Sequence, residues 1–284
     1  MTIAIIGLGL IGGSLSKDLR NTGFADTLLG VDQNAGHAKQ ALELGLVDQI
    51  VDMNEAISQA DVIVLAVPVI TIKTLLPSIL DRMKEGQVVT DMGSTKTTIF
   101  KTIADHPNRR FYVSSHPMAG TEHSGPQAAV SGLFRDKVGI ICNKESSSPE
   151  ALKTVEGMYA AVGMKLLYMD ADAHDMHAAY VSHISHISSF ALALAVLEKE
   201  KNEKAIFNLA SGGFGSTVRL AKSSPEMWAQ VYTENDAYIL EVLDAYIRIV
   251  QEFRDEIAAG HIDKLREMMT EANAIRKVLD KEKD

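Results

Sequence analysis

Residues 2–15 read Thr2-Ile3-Ala4-Ile5-Ile6-Gly7-Leu8-Gly9-Leu10-Ile11-Gly12-Gly13-Ser14-Leu15. An apolar run of strand length passes directly into glycines spaced G-x-G-x-x-G and then into a helical pattern. At such a junction the first glycine makes the tight turn, the second lets backbone approach a pyrophosphate, and the third lets the helix pack closely on the sheet. The N-terminus of the new helix supplies the positive end that phosphates need. The next strand-like run ends Gly30-Val31-Asp32, which sets an acid 20 residues beyond Gly12. A carboxylate there hydrogen-bonds both ribose hydroxyls and repels a 2′-phosphate, and Gln33 and Asn34 follow it rather than a cation. The predicted cofactor is therefore NAD, held by Gly7, Leu8, Gly9, Leu10, Ile11, Gly12 and Asp32. The turn Ala66-Val67-Pro68 can bring the backbone of Val67 and Pro68 to the same ligand, or can be a strand-end turn alone.

Outward from this motif, strand-like runs near 3–6, 28–31, 62–67, 88–91, 111–114, 138–141 and 166–169 alternate with segments of helix length. Such alternation predicts a parallel α/β sheet with both faces covered. Six of the seven prolines lie at or before Pro149, and beyond Asp170 helical spacing takes over. Long helices are expected over 171–199, 202–211, 225–259 and 262–281. The predicted architecture is an N-terminal Rossmann-type domain over residues 1–169 and an all-α domain over 170–284. The wide apolar stripe through Ile239, Leu240, Val242, Leu243, Tyr246, Ile247, Val250 and Phe253 predicts burial on more than one side, hence a homodimer built through these helices; a monomeric bundle packed on the sheet is the alternative. The tail 281–284 reads as solvated surface.

Lys and Arg number 28 against 37 Asp and Glu, a formal charge of −9, which argues against general binding to nucleic acid or anionic membrane. One cysteine, Cys142, excludes an intrachain disulfide and a cysteine-based zinc site and suits a reducing cytoplasm. The start Met1-Thr2-Ile3 is not built as a secretory leader, and the apolar stretch 190–197 is too short for a membrane span.

Chemistry enters at two further strand ends, Asp91-Met92-Gly93-Ser94-Thr95-Lys96 and Ser115-His116-Pro117-Met118-Ala119-Gly120-Thr121-Glu122. The carboxyl edge of an open sheet is where ligands bind, so both would lie near a nicotinamide. Oxidising an alcohol by hydride transfer requires a proton acceptor, and a neutral imidazole suits that role. His116 is the expected base. Ser94 would orient the hydroxyl, cap the following helix, or do both, and Lys96 would assist an anionic ligand.

These blocks, with Tyr180-Val181-Ser182-His183-Ile184-Ser185-His186 and the run from Gly212 to Trp228, resemble the prephenate dehydrogenase family over nearly the whole chain. The resemblance implies oxidative decarboxylation of prephenate, or of its amino analogue arogenate, in tyrosine synthesis by a cytoplasmic dimer. It implies catalytic roles for His116 and Ser94 and a substrate carboxylate on Arg219. Glu122, His174, His183, His186 and Gly212 match pocket positions, and Trp228 matches one near the substrate entrance. A zinc reading of His174, His177, His183 and His186 is weaker, because the reaction's dienone provides its own electron sink and no metal is needed. The competing oxidoreductase reading is a β-hydroxyacid or imine-reducing dehydrogenase, which relies on a lysine that the 182–186 segment lacks; a further alternative is an NAD-binding sensor without turnover. The chain begins at the first strand and ends soon after the helices, so neither a fused chorismate mutase nor a regulatory amino-acid domain is expected. Tyrosine would then inhibit at the active site, with Arg219 on its carboxylate.

Overall fold

The computed structural model describes residues Met1–Leu279, and the expected solvated tail lies outside the described residues. Strands β1 (Thr2–Ile6), β2 (Thr27–Val31), β3 (Gln49–Ile50), β4 (Val62–Leu65), β5 (Val88–Asp91), β6 (Tyr112–Pro117), β7 (Val138–Cys142) and β8 (Lys165–Met169) form one sheet in the order 3-2-1-4-5-6-7-8. The sheet is parallel except where β7 runs against β6. Helices α1 (Leu10–Asn21), α2 (Ala35–Glu43), α3 (Met53–Gln59), α4 (Val69–Leu80), α5 (Thr97–Ile103) and α6 (Pro149–Ala161) complete the alternating part. Side-chain alternation builds a core on each face: Ile3, Ile5, Val62 and Val64 join one, while Ala4, Ile6, Ile63 and Leu65 join the other.

Several expectations are corrected here. The two-residue edge strand β3 has both residues exposed, so no apolar run announces it. Strand β6 continues to Pro117 rather than ending at Ser114, because β7 pairs with its distal half through Ser115↔Ile141 and His116↔Ile140. His116 is therefore a strand residue. The outermost strand β8 is not covered on both faces, for Leu167 and Tyr168 are exposed.

After Met169 no strand occurs among the described residues. The expected helix over 171–199 is α7 (Ala171–Ala178), a π-helical turn (Ala179–His183) and α8 (Ile184–Glu200). By length and composition alone this continuous run is long and apolar enough to cross a membrane, a test that the core helix of a water-soluble fold passes as well. Its first half nevertheless carries His174, Asp175 and His183, all buried among protein groups. The expected helix over 202–211 is only a 3₁₀ turn, Lys204–Leu209. There follow α9 (Gly212–Thr217), a 3₁₀ turn at Arg219–Lys222 and α10 (Pro225–Glu234).

The expected continuous helix over 225–259 breaks at Asn235 (φ −131°), whose side-chain amide donates to the Asp175 carbonyl at 2.8 Å and bonds His183 Nδ1 at 3.1 Å. Residues 1–236 form one compact unit. The second, 237–284, contains nearly all of α11 (Asp236–Ala259), then α12 (Ile262–Ala272), a 3₁₀ turn (Asn273–Ile275) and α13 (Arg276–Leu279), so the expected helix over 262–281 is also interrupted.

Candidate active site

The glycine turn has the geometry its spacing requires. Gly7 has φ +96°, and a Cβ there would lie 2.4 Å from the Ala66 carbonyl oxygen and 2.8 Å from Val67 Cγ1, so β4's exit loop presses on the turn. A Cβ on Gly12 would lie 2.0 Å from the Gly7 carbonyl oxygen. Gly9, the N-cap of α1, instead faces open space, with no atom within 4 Å of a Cβ built on it. That is the space a pyrophosphate needs against a helix N-terminus. Asp32 accepts from the Leu8 N–H at 2.9 Å and the Asn34 N–H at 2.8 Å, which fixes its carboxylate at the end of β2 beside the turn. Open cradle and fixed acid together fit NAD. Leu10 is buried, Ile11 packs against the core, and Pro68 caps α4, so these three shape the turn through packing and backbone.

At the far side of the switch in strand order, β5 and β6 deliver Ser94 and His116. Ser94 is half-buried, and its hydroxyl bonds no described residue. It does not cap α5. That cap comes from Asp175, 79 residues away, whose carboxylate accepts the Lys96 N–H at 2.7 Å and the Thr97 N–H at 2.8 Å. The capping alternative for Ser94 is corrected accordingly.

Lys96 is corrected too. It is 0% exposed, and its ammonium pairs with the equally buried Asp91 carboxylate and donates to the Ser115 carbonyl at 2.7 Å. A cation so buried is committed to two protein acceptors and presents no surface to an anionic ligand. Asp91 also accepts from the Tyr112 hydroxyl and from the Gly93 N–H at 2.8 Å, and Ser115 bonds the Asp91 carbonyl and the Tyr159 hydroxyl at 2.7 Å each. The network braces the strand residue next to His116.

His116 Nδ1 and His174 Nε2 share a 2.8 Å hydrogen bond, and His174 Nδ1 donates to Asp175 Oδ1 at 2.8 Å. Burial above all, and then the cost of adding a positive charge beside His174, Lys96 and His183, holds the His116 imidazole well below the usual 6.5. It is neutral at pH 7. Burial likewise lowers His174, although Asp175 opposes the shift.

The π turn explains how His183 joins this group. Nine regular helical steps would set His183 about 180° from His174, whereas a π bulge absorbs one residue and leaves about 80°. His183 is fully buried, and burial lowers its pKa to about 4. With Asn235 on Nδ1, its Nε2 carries the proton and has no partner among the described residues.

His186, three residues on, stacks on Trp228 with ring centroids 3.5 Å apart, and Trp228 also meets His183 edge-on at 5.9 Å. Trp228 is 7% exposed and packs between these two histidines. The turn carrying Arg219 docks on α8 through Ser189, whose hydroxyl accepts the Ala221 N–H and donates to the Thr217 carbonyl, both at 3.1 Å. Exposed Arg219 donates to Glu122 at 3.1 Å, while Gly212 begins the short exposed helix α9. His177 and His123 are exposed. Sequence reasoning gave Asp175 no role beyond an acid near the histidines and missed Asn235; the contacts that place both are long-range, and the dipeptide His174-Asp175 was the one local sign of the first.

A glycine-bound helix N-terminus, an acid at the second strand's end and a neutral histidine at the sheet's carboxyl edge define a nucleotide-dependent dehydrogenase. The nucleotide-binding domain model of prephenate dehydrogenase matches residues 15–168, and the dimerization domain model matches residues 170–271. The chain belongs to the prephenate dehydrogenase family. It is 31% identical to the cyclohexadienyl dehydrogenase of Zymomonas mobilis, over 99% of this chain and 97% of that protein. Among solved structures, prephenate dehydrogenase from A. aeolicus in complex with hydroxyphenyl propionate and NAD+ superposes with a TM-score of 0.89 at 27% identity, covering 98% of each chain. Synechocystis arogenate dehydrogenase superposes at 0.76 with 28% identity, covering 98% of this chain and 99% of that one.

Proposed function

We propose that this dehydrogenase carries out the NAD-dependent oxidative decarboxylation of prephenate to 4-hydroxyphenylpyruvate in tyrosine biosynthesis. The observation that carries the reading is the neutral, half-buried His116 at the carboxyl edge of the sheet that also carries the glycine turn. Bound NAD supplies the hydride acceptor. His116 accepts the proton of the ring hydroxyl as that carbon is oxidised, and Ser94 orients the hydroxyl. Loss of carbon dioxide from the opposite ring carbon then aromatises the ring, so the protein's work is alignment and proton acceptance. Arg219 holds a substrate carboxylate as a planar two-point donor. Glu122 orients Arg219, His186 and Gly212 line the pocket around the ring and side chain, and the buried His183 and Trp228 back His186 from the protein side. His174 serves by fixing His116.

Residues 1–169 bind the nucleotide, and residues 170–284 hold substrate and pair two copies. Exposed apolar residues on α8 (Leu192, Leu194, Leu197) and α11 (Leu240, Ile247, Val250) are surface that a second copy would cover. Cytoplasmic residence suits the one free thiol, Cys142. Tyrosine competes at the same pocket through Arg219. A second reading, use of arogenate, is favoured by one feature: the Glu122 carboxylate beside Arg219 is a counter-ion for an ammonium group.

The test is formation of NADH or NADPH by purified protein with prephenate or arogenate, each with NAD and with NADP. Turnover of prephenate with NAD is the expected result. Turnover of arogenate alone would transfer the assignment to the amino analogue, and NAD binding without turnover of either would end it.

A further inference from the structure

The buried carboxylate of Asp175 stands at the end of a hydrogen-bonded line, Asp175–His174–His116, that no part of the proposed chemistry uses directly. Asp175 Oδ1 accepts from His174 Nδ1 at 2.8 Å and from the Lys96 N–H at 2.7 Å, and Oδ2 accepts the Thr97 N–H at 2.8 Å. Its backbone carbonyl is held by Asn235 at 2.8 Å, so the group is fixed from several sides. Burial opposes ionisation, but the bonds from His174 and Thr97 outweigh it and keep the carboxyl below its usual range. It is an acceptor only.

The protonation of both histidines follows by elimination. His174 Nδ1 faces a carboxylate and must be the donor; being neutral, the ring then has only an acceptor at Nε2. His116 Nδ1 meets that acceptor at 2.8 Å, so it must carry the proton of the His116 ring. Nε2 of His116 is left as the bare lone pair. If either ring were turned to its other tautomer, two donors or two lone pairs would face each other in a buried site.

We propose that Asp175 is a positioning residue for the reaction: acting through His174, it locks His116 in the Nδ1–H tautomer and so directs the basic Nε2 at the substrate hydroxyl. When Nε2 takes that proton, the resulting imidazolium keeps its Nδ1–H bond to His174, and the line ends in a fixed negative charge. The same carboxylate caps α5, which follows the Ser94 loop, so one group sets the base and steadies the loop bearing its partner hydroxyl. The inference rests on His116 as the base of the proposed reaction, but the tautomer itself does not.

The experiment pairs a spectroscopic and a kinetic readout. In protein labelled with ¹⁵N-histidine, two-bond correlation spectra at neutral pH should show His116, assigned by its loss in His116→Ala, with Nδ1 protonated and Nε2 bare. A protonated Nε2 with bare Nδ1 in the wild-type enzyme overturns the proposal without need of an Asp175 variant. In Asp175→Asn an amide N–H can face His174 Nδ1 and invert the line. We expect His116 to shift to the Nε2–H tautomer and kcat to fall roughly a hundredfold or more, with KM for prephenate changed less than about threefold. Folded Asp175→Asn with wild-type tautomer and kcat within about threefold of wild type also overturns it. Absence of turnover in the wild-type enzyme would defeat the functional reading instead, and the tautomer measurement would still decide this one.

Discussion

Lys96 and Asp91 form an ion pair in which both side chains are 0% exposed, beside the strand that carries His116, where Lys96 also donates to the Ser115 carbonyl. A buried pair of this kind adds little net stability relative to an apolar replacement, but removing one partner strands the other charge. Lys96→Met should therefore destabilise the protein by about 3–5 kcal/mol in urea unfolding. A loss below about 1 kcal/mol would show that Asp91 finds another counter-charge.

The acid limb of the rate profile should report His116. A base works only when deprotonated, so activity falls as pH drops through its pKa, which burial and neighbouring charges hold well below 6.5. The profile of kcat/KM should be flat through pH 6.5 and decline only well below it. An inflection at or above 6.5 would mean that the imidazole is solvated during turnover.

His183 gives a stability signature of its own. Burial holds it at about 4 in the folded protein, against 6.5 ordinarily, so between these values the unfolded chain binds a proton that the folded chain does not. Stability therefore falls as pH drops below about 6.5 and has lost about 3 kcal/mol from this group by pH 4. Urea midpoints measured against pH should show this increment in the wild type and not in His183→Gln. Identical pH slopes in the two proteins would refute it.

Two glycines of one motif should respond oppositely to alanine. The Gly12 methyl would meet the Gly7 carbonyl at 2.0 Å, so Gly12→Ala should lose more than about 2 kcal/mol of stability. The Gly9 methyl would project into open space, so Gly9→Ala should cost under about 1 kcal/mol yet weaken NAD binding at least tenfold. Thermal melting with and without NAD separates the two effects. Unaltered NAD affinity in Gly9→Ala would put the pyrophosphate elsewhere.

Legibility in the sequence followed the range of the interactions. The glycine turn, Asp32, the strand end carrying Ser94 and the strand-like run leading to His116 depend on residues close in sequence, and their placement could be read from spacing. The far half of β6 could not, because its pairing comes from Ile140 and Ile141 on β7. The helical segments were misread where a single residue overrode local preference, as Asn235 does by turning its amide to Asp175 and His183.

Sequence alone thus determined the alternating sheet, the helical second half, the glycine turn with Asp32 at the end of the second strand, and the histidine at the sheet edge. Each is encoded by a short-range pattern: strand alternation, helical spacing or the steric freedom of glycine. Only the tertiary structure decided that Lys96 would be a buried counter-ion, that α5 would be capped from 79 residues away, and that the π turn would bring His183 round towards His174. Burial and hydrogen-bond direction are set by what the chain folds against, and neither appears until distant segments meet.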